Sequence, residues 1–114
     1  MRRDGLTVTE KDRKHLLANW PLRESADCWA EVRLFDGQSG YECYLLAMNP
    51  EDEDEVYCIL KGCSTEWTDW RLSEISRLYT ASGTPLSTDR QYRPRRAYEI
   101  YKQLTRDDYA SGRG

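Results

Sequence analysis

The chain has 114 residues, 39% hydrophobic and 32% charged, with a formal net charge of −3. That length suits one domain with one modest core. No window approaches the ~18 apolar residues of a membrane-spanning helix, and the charged opening MRRDGLTVTEKDRKH lacks the apolar stretch of a secretory signal.

The first predicted element is a helix over TVTEKDRKHLLANW, with Thr9 as cap and Asp12 three residues on in a capping-box position. Leu16, Leu17 and Trp20 form its apolar end, and Pro21 stops it. DCWAEVRLFD alternates, placing Cys28, Ala30, Val32 and Leu34 on one face of a strand and Trp29, Glu31, Arg33 and Phe35 on the other. DGQSG supplies turn chemistry, with Gly37 and Gly40 able to take positive φ. YECYLLAM and EVYCILKG read as the next two strands, and TEWTDWRL as a weaker fourth. Short connections imply antiparallel neighbours. LSEISRLY reads as a short helix capped by Ser73, and ASGTPLSTDRQYRP as a loop. RPRRAYEIYKQL reads as a terminal helix with Pro94 in its first turn and Ala97, Ile100, Tyr101 and Leu104 on one face. The expected fold is α+β: an N-terminal helix, a three- to four-stranded antiparallel sheet, a short helix and a C-terminal helix in a single layer pair. Residues 1–104 form the domain and 105–114 a flexible tail.

Formal charge is segregated along the chain. Residues 24–55 carry ten acidic groups and one basic group, whereas residues 90–114 carry seven basic and three acidic. Asymmetry of this kind bears on partners rather than on fold. The densest acidic run, NPEDEDE, joins two apolar strands. It has no Gly and lacks the ligand spacing of a calcium loop, and consecutive carboxylates on an extended tip point to opposite sides. No metal site is expected there. The run reads either as a solvated turn or as a surface that imitates a phosphate backbone.

The gaps between Cys28, Cys43, Cys58 and Cys63 are not those of a zinc site. In a reducing, cytoplasmic setting all four are expected as free thiols. His15 is the only histidine, and there is no G-x-S-x-G and no phosphate-binding glycine loop. No enzyme activity, no catalytic residue and no cofactor is therefore expected. Two sets of residues remain as candidates for contact with partners. Glu42, Glu51, Asp52, Glu53, Asp54 and Glu55 make the acidic face, with Trp67 or Trp70 as an aromatic anchor. Arg90, Arg93, Arg95 and Arg96, with Tyr92 as a stacking ring, make an alternative nucleic-acid site.

The order VRLFDG, YLLAMNPEDEDEVYCIL, WRLSEI and PLSTDRQYRP resembles a family of small, functionally uncharacterised bacterial proteins carried on plasmids, conjugative elements and phages. The resemblance rests on Leu34-Phe35, Leu45-Leu46, Pro50-Glu51-Asp52, Leu72-Ser73-Glu74, Asp89-Arg90 and Pro94, over roughly residues 6–104. KGCSTEWTDW stands where that family has a Gly-rich apolar stretch. The resemblance implies a mobile-element setting. Taken with charge and size, it leads to the expectation of a non-catalytic protein, monomeric or a small homo-oligomer with no membrane association. Such a protein would be an anti-defence inhibitor of the anti-CRISPR or anti-restriction type, covering a nucleic-acid-handling surface of a host protein complex. Direct nucleic-acid binding is the lesser alternative.

Overall fold

The computed structural model describes residues 8–37, 39–62, 64–76 and 86–112. Helix α1 (Glu10–Asn19) opens on a reciprocal cap. The Thr9 hydroxyl accepts from the Asp12 amide at 3.0 Å, and the Asp12 carboxylate accepts from the Thr9 amide at 3.3 Å. Two of the helix's orphan N-terminal donors are satisfied in this way. Pro21 ends the helix by starting a 3-10 turn, Trp20–Leu22.

Strands β1 (Trp29–Ala30), β2 (Val32–Phe35), β3 (Glu42–Asn49), β4 (Asp52–Lys61) and β5 (Thr65–Arg71) follow. Then come α2 (Leu72–Ser76), β6 (Ser87–Thr88), β7 (Arg95–Arg96) and α3 (Ala97–Gly112). The main sheet is antiparallel with order β5-β4-β3-β2-β6, and β1 pairs with β7 in a separate two-stranded ribbon. The α+β class is as expected, with more strands: five in the main sheet and two in the ribbon.

The expected single layer pair is corrected, because both faces of the sheet are covered. On one face Leu16 of α1, Ile75 of α2 and Leu86 pack on Val32, Leu34, Cys43, Leu45, Met48, Val56 and Cys58. On the other, Ala97, Ile100 and Leu104 of α3 pack on Cys28, Ala30, Tyr44, Leu46, Ala47 and Ile59. A strand between two layers must be apolar on both sides, which is why β3 carries six consecutive buried residues, Cys43 to Met48.

A bulge sets which residue faces which layer. Leu45 pairs with Cys58 and Ala47 with Tyr57, so Leu46 stands opposite no residue of β4. The extra residue shifts the alternation, so that Leu46 and Ala47 both join the α3 layer and Met48 returns to the other. Across from it the expected continuous strand of residues 27–36 breaks at Glu31, whose amide donates to the Leu45 carbonyl at 2.9 Å. Cys28 and Ala30 therefore face α3 while Val32 and Leu34 face α1, not one common side.

Three other expectations are revised. Arg95 and Arg96 are extended and pair with Ala30 and Trp29, so α3 begins at Ala97 and Pro94 lies before it. The same helix continues to Gly112, through most of the segment expected as a tail. Of the two turn glycines, Gly40 has positive φ, +81°. Among the described residues no helix is long and apolar enough to cross a membrane, and every buried polar side-chain atom has a hydrogen-bond partner.

Candidate functional site

The acidic run is built by the β3–β4 connection. Pro50 and Glu51 form a two-residue turn closed by the Asn49–Asp52 pair. Asn49 fixes it, its Oδ1 accepting from the Glu51 amide and its Nδ2 donating to Glu55, both at 2.9 Å. An Asn side chain bonded two residues on is the ordinary chemistry of such turns. The register then slips from Asn49–Asp52 to Met48–Val56, so Glu53, Asp54 and Glu55 have no β3 partner opposite them.

These acids are held by cations. Arg13 of α1 grips Glu53 through two hydrogen bonds, at 2.6 and 2.8 Å, and also reaches Glu10 at 3.1 Å. Arg71 of β5 meets Asp54 at 3.0 Å and Asp52 at 3.2 Å. Asp54 accepts two more bonds, from the amide and the hydroxyl of Ser73, each 2.8 Å long. Ser73 is therefore not the cap of α2. It lies in the first turn, and its amide is satisfied from the neighbouring strand. The Ser73 hydrogen bond, with Arg71 beside it, holds the Asp54 carboxyl below the usual Asp range. Arg13 does the same for Glu53. Glu51 is exposed and has no ion pair among the described residues. Five carboxylates at positions 51–55 against two guanidiniums leave a formal excess of three negative charges at the tip.

Glu42, expected on the same face, lies at the opposite end of β3. It belongs to a half-buried network around Arg33, which reaches Asp89 at 2.7 Å, Glu42 at 3.3 Å and the Tyr44 hydroxyl at 3.2 Å. The Tyr44 hydroxyl donates to Glu42 at 2.5 Å. Burial, and then the hydrogen bond to Glu42, push the Tyr44 phenol up to about 12. A groove of about 230 Å³ lies nearby, lined in part by Asp12, Glu31, Asp89 and Arg90. Each of its three carboxylates is already engaged: Asp12 in the helix cap, Glu31 with Asn19 at 3.0 Å, Asp89 with Arg33.

Trp67 and Trp70 face opposite sides of β5, as their spacing requires. Both are half-buried, one against each layer. The Trp67 indole donates to the Arg23 carbonyl at 3.2 Å, and its ring lies 5.3 Å from that of Tyr101. Each ring packs against one layer and keeps part of its surface exposed. The exposed tryptophan is Trp29, on the strand face opposite the buried Cys28 and Ala30.

In the basic segment Tyr92 is not a free stacking ring. Its hydroxyl donates to the Ala30 carbonyl at 2.9 Å, and it packs edge-on against Tyr44 at 5.7 Å. Arg90 and Arg93 are exposed, Arg95 bonds Gln103 at 3.3 Å, and Arg96 pairs with Asp27 at 3.4 Å. Cys28, Cys43 and Cys58 are buried free thiols, and Cys63 lies outside the described residues. Among the described residues no group of three or more His, Cys, Asp or Glu is arranged to hold a metal ion.

No family model, no curated protein and no solved structure matches this chain.

Proposed function

We propose that this chain is a non-catalytic interaction protein of a mobile genetic element, of the anti-defence kind. Its acidic β3–β4 tip would occupy a basic surface with which a host complex handles nucleic acid, as an anti-CRISPR or anti-restriction protein does. The mobile-element setting is an inference from the motif order around Leu34-Phe35, Pro50-Glu51-Asp52 and Asp89-Arg90.

One observation carries the reading: the carboxylates of residues 52–55 are held in place, and with the exposed, unpaired Glu51 the tip keeps a negative excess. Arg13, Arg71 and Asn49 hold the acids in a set arrangement, so little side-chain ordering remains to oppose binding. Exposed ion pairs are worth only about 0–1 kcal/mol, so a partner's guanidinium exchanges with Arg13 or Arg71 at small cost. A fixed row of negative charge also steers encounter with a positive groove, and raises the association rate most at low salt.

The test is phage plating on cells carrying a panel of restriction and CRISPR systems, with and without this protein. Plating is expected to rise against at least one system. Glu51→Lys with Glu53→Lys is expected to remove the effect and to abolish co-elution with the purified complex of that system. Unchanged plating across the panel, or full activity of the doubly reversed variant, refutes the proposal. Glu51→Lys alone touches no described intramolecular ion pair and serves as the folding-neutral version.

A further inference from the structure

We infer that the outer face of the β1–β7 ribbon and the first turns of α3 form a second surface, distinct from the acidic tip, that binds single-stranded nucleic acid. Two large rings stand exposed there. Trp29 is 45% exposed and Tyr98 46%, whereas the other described tryptophans, Trp20, Trp67 and Trp70, are half-buried against the core. Trp29 is the register partner of Arg96, so the two side chains share one face of the ribbon. That face is the outer one, since Cys28, Ala30 and Ala97 beside them are buried in the α3 layer. Tyr98 follows in the first turn of α3, and the Lys102 ammonium sits 5.1 Å from its ring centroid.

Positive charge adjoins these rings in the chain. Arg93 is exposed and makes no hydrogen bond or ion pair with other described residues. Arg96 is held only by an exposed pair with Asp27 at 3.4 Å. Arg95 and Arg96 also directly precede a sixteen-residue helix, where their charge opposes the macrodipole rather than complementing it. Helix stability therefore does not account for them. Arg96 stands beside Trp29, and Arg93 and Lys102 lie close by in the chain, against the carboxylates of Asp27 and of Glu99 in the first turn of α3, so this face is positive on a chain whose net charge is negative.

Flat exposed rings flanked by arginines match a partner with alternating aromatic bases and phosphates. Stacking uses the π-face of any base and the guanidiniums follow the backbone, so the site tolerates any sequence. A duplex keeps its bases stacked inside and offers Trp29 nothing to stack on, and an acidic polymer without rings engages the arginines alone. Single strands are therefore the occupant that uses both features.

Anisotropy of a fluorescein-labelled oligothymidylate at low salt measures it directly. Binding is expected to weaken steeply between about 50 and 200 mM salt. Arg93→Glu with Arg96→Glu is expected to weaken it about tenfold or more and to flatten the salt dependence. Trp29→Ala is expected to cost about fivefold or more at unchanged salt slope, whereas Trp29→Phe keeps most of the affinity. Asp27→Ala, which frees Arg96, is expected to tighten binding, a gain that misfolding does not imitate. Glu51→Lys with Glu53→Lys is expected to leave oligonucleotide binding in place, so this surface and the acidic tip fail independently. No anisotropy change at low salt overturns the inference. So does wild-type affinity in Trp29→Ala, or equal binding of duplex, heparin and oligothymidylate, which reduces the site to a general polyanion patch.

Discussion

Asp54→Ala removes a side chain that ties the acidic tip to the start of α2. Its carboxylate accepts the Ser73 amide and hydroxyl at 2.8 Å each and the Arg71 guanidinium at 3.0 Å. Hydrogen bonds to a charged group contribute about 1.5–3 kcal/mol each when shielded. The Asp54 side chain is 33% exposed and that of Arg71 49%, so solvent screens the ion pair and it adds little. The Ser73 amide, an orphan donor of the first helical turn, then turns to water. Together these give a loss of about 2 kcal/mol, or roughly 6–12 °C in Tm for a chain of this size. Ser73→Ala, which keeps the amide bond, is expected to lose about 1 kcal/mol. The double variant should lose less than the sum of the two, because they share an interaction. The pH dependence has a definite sign. The folded carboxyl titrates below its ordinary value, so its contribution is present above about pH 4 and fades as pH falls through the folded pKa. Asp54→Ala should therefore flatten the acid limb of stability against pH. Urea unfolding of the four proteins between neutral and acid pH measures all of this. A Tm within the error of wild type, or strict additivity with Ser73→Ala, refutes the idea that Asp54 acts as a cap across strands.

On the alkaline side, Tyr44 carries a phenol raised to about 12 by burial and by Glu42. A group with a raised folded pKa stabilises fully below its unfolded value, about 10, and its contribution is lost as pH climbs through the folded value. Tyr44→Phe is expected to cost about 1 kcal/mol at neutral pH and to make the decline above pH 10 shallower; an unchanged alkaline slope in urea titrations contradicts this. The thiols give a separate check. Burial, then Glu31, raises Cys28 to about 11, and a hydrogen bond with Cys58, then burial, raises Cys43 well above its ordinary value. In a Cys63→Ser background a disulfide reagent at pH 8 should modify nothing until denaturant is added, and rapid native labelling of Cys28, Cys43 or Cys58 refutes the assigned packing.

What was legible in the sequence was local. The Thr9–Asp12 box needs only residues three apart, and it forms as read. The strand over YECYLLAM and its antiparallel partner were visible as apolar runs with a turn between them. The layer count was not, because a run buried on both faces has no alternation to betray which side a helix covers. The Leu46 bulge was equally silent, since one unopposed residue in a fully apolar strand changes no pattern, yet it decides that Ala47 and not Met48 faces α3. Arg95 and Arg96 read as helical by continuity with AYEIYKQL. Pairing with Trp29 and Ala30, a contact across more than sixty residues, draws them into a ribbon. In the same part of the fold Tyr92 is half-buried with its hydroxyl on the Ala30 carbonyl and Trp29 is left outside, a difference that no pattern in the sequence marks.

Formal charge counted along a chain overstates the field it produces, because partners in the fold cancel part of it. Of the ten acids in residues 24–55, five lie against guanidiniums: Asp27 with Arg96, Glu42 with Arg33, Asp52 and Asp54 with Arg71, and Glu53 with Arg13. Two of those cations, Arg33 and Arg71, come from the middle of the chain and not from its basic ends. The segment is therefore not one acidic face. It is a network around Arg33 at one end of β3 and a tip at the other, and only the tip keeps several unbalanced charges together. The basic end of the chain is affected less, since Arg90 and Arg93 stay unpaired among the described residues. Recognition by either proposed surface would draw on what the fold leaves uncompensated. Glu51 and Trp29 are the exposed residues of the two proposed surfaces, and substitution at each tests its own proposal.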